Sequence, residues 1–426
     1  MGDALSNSNT DHSILGRFWL SGQDESSSIP GVMEFGSEGA AVRLEGALTE
    51  RGLLADATVY ARLQGSHDTA TLFNCFASAT FGASKKVVYS KLDSTLIALG
   101  SLREDLGGHA VRFRLPGSET WFHEPCFNVD FGKTSEDVVV HFKAFESTEY
   151  RLSDGLAIER LYVATVPMGN WGMERFEVSR PLAYRICSTS RLGFDRLWEE
   201  MYRLRRLLEF FSQQRFPHTG MALYDARGVA EGTPDIDIRH SSTRTIKVGK
   251  FEWDQQLVLF DDIKDRFPAL LRRWFEVHRG NPEPFERYFA AFDRGSEDII
   301  LHFLWNVAAL EELHKIRTAR KDFYLLDRLK DIRARWSAAF DTQPPDTVLE
   351  QIKDSRHYYA HAAGDLREKA AKDWVLLRYG HFLAALSNLE ILALLGFPDD
   401  EVVKIARKYW MRESLALKMF PGGGGS

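Results

Sequence analysis

Hydrophobic and polar positions follow two different rhythms along this chain, and the change falls near Leu192. Between about Ile14 and Tyr184, short apolar or alternating runs are broken by Gly, Ser, Asp and Pro: AAVRLEGAL, DTATLFNCFA, KKVVYSKL, HAVRFRL, DVVVHFKAF and LAIERLYVATV. Side chains change face at every residue of a strand, so runs of this kind at close spacing predict an antiparallel β sandwich or barrel rather than alternating βα units. From Leu192 the apolar spacing becomes helical. FDRLWEEMYRLRRLLEFFSQQ places Phe194, Leu197, Met201, Leu204, Leu208 and Phe211 on one face of an amphipathic helix.

The section from Gly220 to Val248, rich in Gly, Asp, Arg and Ser, reads as strand-like or irregular, and a further helix is expected around Phe267 to His278. Past the break at Asn281 to Pro284 the pattern predicts helices at Glu286–Arg317, Phe323–Phe340, Asp346–Ala363, Arg367–Leu395 and Asp399–Leu417. Thr347 with Glu350 fits a capping box, Gly396 with Pro398 a helix stop, and Asp399 or Asp400 a cap for the last helix. Helices joined by such short loops make an antiparallel bundle. The chain therefore reads as α+β. A β-rich N-terminal domain is expected over residues 1–190, a mixed connecting region over 191–282, a helical bundle over 283–420 and a tail over 421–426. In that tail, Pro421 and GGGGS read as the start of an engineered flexible linker.

Composition narrows the class. With 426 residues and 44% hydrophobic content, two or three domains with a sizeable core are expected. No run approaches the roughly 20 apolar residues of a membrane span, and the polar start MGDALSNSNTDHS lacks the layout of a signal peptide, so a cytoplasmic location is expected. Cys75, Cys126 and Cys187 are odd in number and widely spaced, which argues for buried thiols and against a disulfide framework or a cysteine zinc site. The formal net charge of -6 argues against non-specific coating of nucleic acid. A local basic segment remains from Lys315 to Arg335, with a solvated helix face as its simpler reading. Gly107 with Gly108, and His123 with Cys126, read as turn and packing residues rather than a phosphate loop or half a metal site.

The candidate chemistry lies in IKDSRHYYAH, where Arg356 precedes His361 with four residues between them. Histidine titrates near neutrality and can move the proton of a 2′-hydroxyl or of a leaving oxygen, while a guanidinium can hold the scissile phosphate as negative charge builds. The spacing alone is weak, because an Arg followed by a His after four to six residues recurs as Arg62 with His67, Arg103 with His109, and Arg272 or Arg273 with His278. Helical geometry adds to it. At roughly 100° per residue, Val348, Ile352, Ser355, Tyr359 and Ala363 share the core stripe, and His357 with His361 lie on the opposite side. Arg356 lies about 140° from His361, so its side chain must curl round to share a phosphate, or two copies of the helix must meet across a twofold axis. His357 and His361 also stand one turn apart as two metal ligands would, but no HExxH glutamate or third ligand accompanies them.

Several segments resemble the ApeA-like antiphage defence family, which joins a β-rich N-terminal domain to a C-terminal HEPN domain. They are GRFWL from Gly16 to Leu20, IPG from Ile29 to Gly31, LEG from Leu44 to Gly46 and TLFNC from Thr71 to Cys75, with Arg356, His357 and His361 matching the HEPN pattern. His357 keeps the position polar but departs from the commonest form of the pattern, standing where many relatives have Asn. The resemblance also implies an acidic or polar residue on an earlier bundle helix, best matched by Glu311 in the LEELH run, with His314 beside it. It implies a homodimeric, metal-independent endoribonuclease with no cofactor, which cleaves cellular RNA, with tRNA as a candidate, when a phage-derived trigger is sensed at the N-terminal domain. The alternative in another class is a non-catalytic HEPN module for dimerisation or nucleic-acid binding.

Overall fold

In a computed structural model the alternating runs of the N-terminal half become strands and the later periodic segments become helices. The structure describes residues 12–36, 39–49, 54–65, 68–81, 87–122, 127–131, 138–142, 147–152, 155–162, 182–225, 236–240, 255–294, 297–320, 322–408 and 414–415. Two compact units emerge: residues 1–205 with 215–250, and residues 206–214 with 251–426.

The first unit carries β1 (His12–Leu20), β2 (Ile29–Gly36), β3 (Gly39–Leu44), β4 (Leu54–Leu63), β5 (Thr69–Phe81), β6 (Val87–Leu99), β7 (Gly107–Arg114), the short helix α1 (Ser118–Phe122), β8 (Phe127–Phe131), β9 (Val138–Phe142), β10 (Thr148–Arg151), β11 (Leu156–Tyr162) and β12 (Leu182–Gly193). The helix α2 (Phe194–Ser212), β13 (Thr219–Tyr224) and β14 (Ile236–His240) follow. Pairing in the order β6-β3-β2-β1-β4-β5, with β5 back against β6, closes a six-stranded antiparallel barrel and so removes its free edges. Alternate side chains fill it, among them Phe18, Met33, Val42, Val59, Leu72 and Ile97. The strand β6 also leaves the barrel. Its Ser90 to Ser94 stretch pairs with β3, but Leu96 to Leu99 pair with β14, and an open sheet continues as β14-β13-β7-β12-β11-β10.

Glycines from the family-like segments explain one close approach in the barrel. Gly16 of β1 pairs with Gly31 of β2. A Cβ on Gly31 would lie 2.7 Å from the Arg43 carbonyl oxygen, and one on Gly16 would lie 2.9 Å from Leu63 Cδ2, with the fully buried Phe18 ring 3.2 Å from each. Gly107 and Gly108 are likewise strand residues held against the Leu192 and Tyr224 carbonyls, a packing role. His123 and Cys126 lie outside the described residues. Cys75 and Cys187 are free thiols, and burial pushes both up to about 12.

The second unit holds the end of α2 and the helices α3 (Phe260–Ile263), α4 (Phe267–Gly280), α5 (Pro282–Arg294), α6 (Ile299–Thr318), α7 (Leu325–Arg335), α8 (Asp346–His361), α9 (Asp373–Leu394) and α10 (Asp399–Ala406). The segment expected as one helix from Glu286 to Arg317 is two, because Asp298 caps a new start by accepting from the Leu301 N–H at 3.0 Å. The expected Phe323–Phe340 helix is shorter: α7 stops at Arg335, and a 3-10 turn takes Ser337 to Ala339. Similarly, α9 begins at Asp373 instead of Arg367, and α10 ends at Ala406. The capping box at Thr347 and Glu350 does not form, because α8 has already begun at Asp346 after Pro345. Pro398 takes the cap position of α10, leaving Asp399 and Asp400 inside its first turn. Gly396 does supply the stop after α9, at φ 91°.

The basic segment is largely neutralised. Lys315 pairs with Glu312, Arg317 with Asp331 and Glu390, Lys330 and Arg333 with Asp346, and Arg335 with Asp399. No helix among the described residues is long and apolar enough to cross a membrane.

Candidate functional site

The last turn of α8 is fixed by polar contacts to the chain that returns toward α9. Ser355, fully buried, donates from Oγ to the Gln351 carbonyl at 2.7 Å and accepts from the Ala371 N–H at 2.8 Å. Tyr359 Oη donates to the Ala371 carbonyl at 3.0 Å, and Tyr379 Oη to Gln351 Oε1 at 2.5 Å. The helix then ends at His361, where Ala362 turns left-handed at φ 52°.

On this anchored turn Arg356 Nη1 lies 3.1 Å from His361 Nε2. The two are five residues apart on the helix, and the length of the arginine side chain closes the angle within one chain. Because a guanidinium only donates, Nε2 here is the accepting, unprotonated nitrogen. Arg356 Nη2 also lies 3.7 Å from Glu311 Oε2 on α6, and the His357 and His361 rings are 5.1 Å apart at 58°. The structure thus brings together all four residues singled out in the sequence. Both histidines are exposed, and Arg356 and Glu311 are partly buried.

His314 has a different place. It turns into the interior, where Arg328 Nη1 donates to its Nδ1 at 3.1 Å and its Nε2 donates to Asp331 Oδ2 at 2.9 Å. Burial holds it below the usual histidine range, against the opposing pull of Asp331. Asp331 itself is held below its ordinary value: burial raises it, but hydrogen bonds from Arg317 and His314 outweigh that. This network, with Glu390 accepting from Trp336 Nε1 at 2.8 Å, ties α6, α7 and α9 together behind the site.

The other Arg and His pairs are engaged elsewhere. Arg103 donates to Asp225 and His109 lies against the Ser188 carbonyl, while His278 is buried and stacked on Phe285. His67 lies outside the described residues. Among the described residues no group of three or more His, Cys, Asp or Glu side chains is placed to hold a metal ion.

A pocket of about 610 Å³ borders Arg356, His357 and Glu311, and its wall includes Lys315, Phe323 and Tyr324. Both aromatics fall inside the helix expected from Phe323 to Phe340. In fact α7 starts only at Leu325, and Tyr324 stands at its N-cap with 82% of its surface exposed.

An antiparallel barrel that runs on into an open sheet, followed by a helical unit gathering Arg, His and Glu at one helix end, defines a two-unit protein with a charged site in its helical part. Residues 13–274 match the family model described as ApeA N-terminal domain 1, and the chain belongs to that family. The match ends inside α4, so the helices carrying Arg356, His361 and Glu311 lie beyond it. No curated protein and no solved structure matches the chain.

Proposed function

We propose that this protein is an antiphage defence factor whose helical unit is a HEPN-type, metal-independent endoribonuclease acting on cellular RNA, with tRNA as a candidate. The observation that carries the reading is the 3.1 Å approach of Arg356 Nη1 to His361 Nε2 on an anchored helix end. A bound phosphate attracts the guanidinium away from the imidazole, since a charge-assisted bond to an anion outcompetes one to a neutral nitrogen. His361 Nε2 is then free to take the 2′-hydroxyl proton. The 2′-oxygen attacks phosphorus, the bond to the 5′-oxygen breaks, and the leaving oxygen receives a proton from an imidazolium. The products are a 2′,3′-cyclic phosphate and a 5′-hydroxyl. Arg356 bears the charge that builds on the non-bridging oxygens.

His357 orients the phosphate or holds His361, and the protein works as a homodimer through the helical unit, so that two such turns face one groove. Membership in the ApeA N-terminal-domain family supports the defence role, with the barrel unit sensing a phage-derived trigger. The test compares RNA cleavage by the wild type, Arg356→Ala and His361→Ala, each shown to be folded. Cleavage that persists in EDTA, leaves 2′,3′-cyclic ends and disappears in both variants is expected. Undiminished cleavage in either folded variant overturns the reading.

A further inference from the structure

An exposed tyrosine beside a charged pocket that holds Arg356 calls for an occupant, because a large aromatic left 82% in water gives up the favourable burial of its ring faces. Tyr324 and Phe323 line the same pocket as Arg356 and His357. Their settings differ. Phe323 is held by two contacts, with its ring stacked 5.9 Å from buried His314 at 24° and the Arg320 guanidinium 4.8 Å from its centre. Tyr324 projects from a fixed base, because its carbonyl accepts the Arg328 N–H at 3.0 Å in the first turn of α7.

Lys315 and Lys353 also line the pocket, paired with Glu312 and with Asp354 of the same wall, and Lys353 stands one helical turn before Arg356. Cations beside an open aromatic face suit a nucleotide better than an apolar protein segment, since phosphates need the charge and every base has a face to stack. A base in a duplex already stacks on its neighbours on both sides. An unpaired one is free to leave them for a tyrosine.

We propose that Tyr324 is the stacking surface for the base of an unpaired nucleotide next to the phosphate held by Arg356, so that the substrate is RNA single-stranded at the cut. This rests on the ribonuclease reading of Arg356 and His361 and adds to it the class of RNA accepted. Phe323 is the neighbouring wall, kept in place by His314 and Arg320, and Lys315 and Lys353 exchange Glu312 and Asp354 for flanking phosphates.

The test measures binding apart from cleavage, in the full chain carrying His361→Ala, using a short fluorescent single-stranded RNA and the same sequence in a perfect duplex. Tyr324→Ala is expected to weaken single-strand binding roughly tenfold, the scale of one lost base stack, while Tyr324→Phe and Tyr324→Trp keep it. The duplex is expected to bind weakly and with no dependence on residue 324. Unchanged single-strand binding in Tyr324→Ala overturns the proposal, as does duplex binding that falls equally. A Tyr324→Ala variant that changes its oligomeric state in sedimentation overturns it too, by marking the tyrosine as a contact between copies. Loss of the ribonuclease reading shows differently: no cyclic phosphate ends from the wild type, with the residue-324 effect on binding intact.

Discussion

Glu311 Oε2 on α6 stands 3.7 Å from Arg356 Nη2 on α8, beyond hydrogen-bond reach but well inside the range of charge attraction. The carboxylate steadies the guanidinium and at the same time competes with any phosphate for it. Both side chains keep some exposure, 19% and 35%, so the pair adds little to stability.

Glu311→Gln separates these roles. Removing the negative charge leaves the phosphate without a competitor, so KM for RNA at low salt is expected to fall about two- to fivefold, the worth of a partly exposed ion pair. The less constrained guanidinium is expected to lower kcat. The denaturation midpoint should move by less than about 1 kcal/mol equivalent. Steady-state cleavage at two salt concentrations checks this, and KM and kcat both equal to wild type would show that Glu311 acts on neither step.

Ser355 bears on the site through the backbone. Its hydroxyl meets the Ala371 N–H and Tyr359 meets the Ala371 carbonyl, so one residue of the return loop is held twice from α8. Ser355→Ala leaves a buried N–H without its partner at a cost of about 1–3 kcal/mol, whereas Tyr359→Phe, on a partly exposed side chain, should cost about 1 kcal/mol or less. Urea denaturation of the two variants gives the order directly. Equal losses would mean that the Ala371 N–H finds another acceptor.

Much of this arrangement is legible in sequence because it follows from local periodicity. Of the expected core stripe, Val348, Ile352 and Ser355 are buried, whereas Tyr359 keeps partial exposure and Ala363 lies past the helix, which ends at His361. His357 and His361 are exposed, off that stripe. The change of rhythm near Leu192 marks the true start of α2 at Phe194. Features set by contacts distant in sequence were less legible. The choice between sandwich and barrel depends on β5 returning to β6, and nothing in either strand alone announces that closure. The basic look of Lys315 to Arg335 dissolves once carboxylates on α8, α9 and α10 reach it. Tyr324 was hidden for a local reason: a helix pattern extended two residues too far makes an exposed cap residue look like part of an amphipathic face.

Two buried histidines make the helical unit sensitive to mild acid. His302 Nδ1 lies 3.3 Å from the Ala291 carbonyl and its Nε2 lies 3.3 Å from Asn306 Nδ2, so one ring nitrogen donates, the other accepts, and the ring is neutral. Burial foremost, then the neighbouring His381, lowers its proton affinity, and burial does the same for His314. Both folded-state values thus fall below the ordinary 6.5 that the unfolded chain keeps. Above 6.5 neither state binds the proton and the stability is fully present. As pH falls below 6.5 the unfolded chain takes up protons that the folded one refuses, so stability drops by up to about 1.4 kcal/mol per pH unit for each histidine. Asp331, held below the ordinary carboxylate range, titrates further down and leaves this window clear. Urea midpoints followed by tryptophan fluorescence from pH 7.5 to 5.5 are therefore expected to decline. His302→Gln should be less stable at pH 7.5 but lose less on acidification. A His302→Gln slope as steep as that of the wild type would mean that His302 is protonated in the folded unit, contrary to the tautomer its hydrogen bonds require.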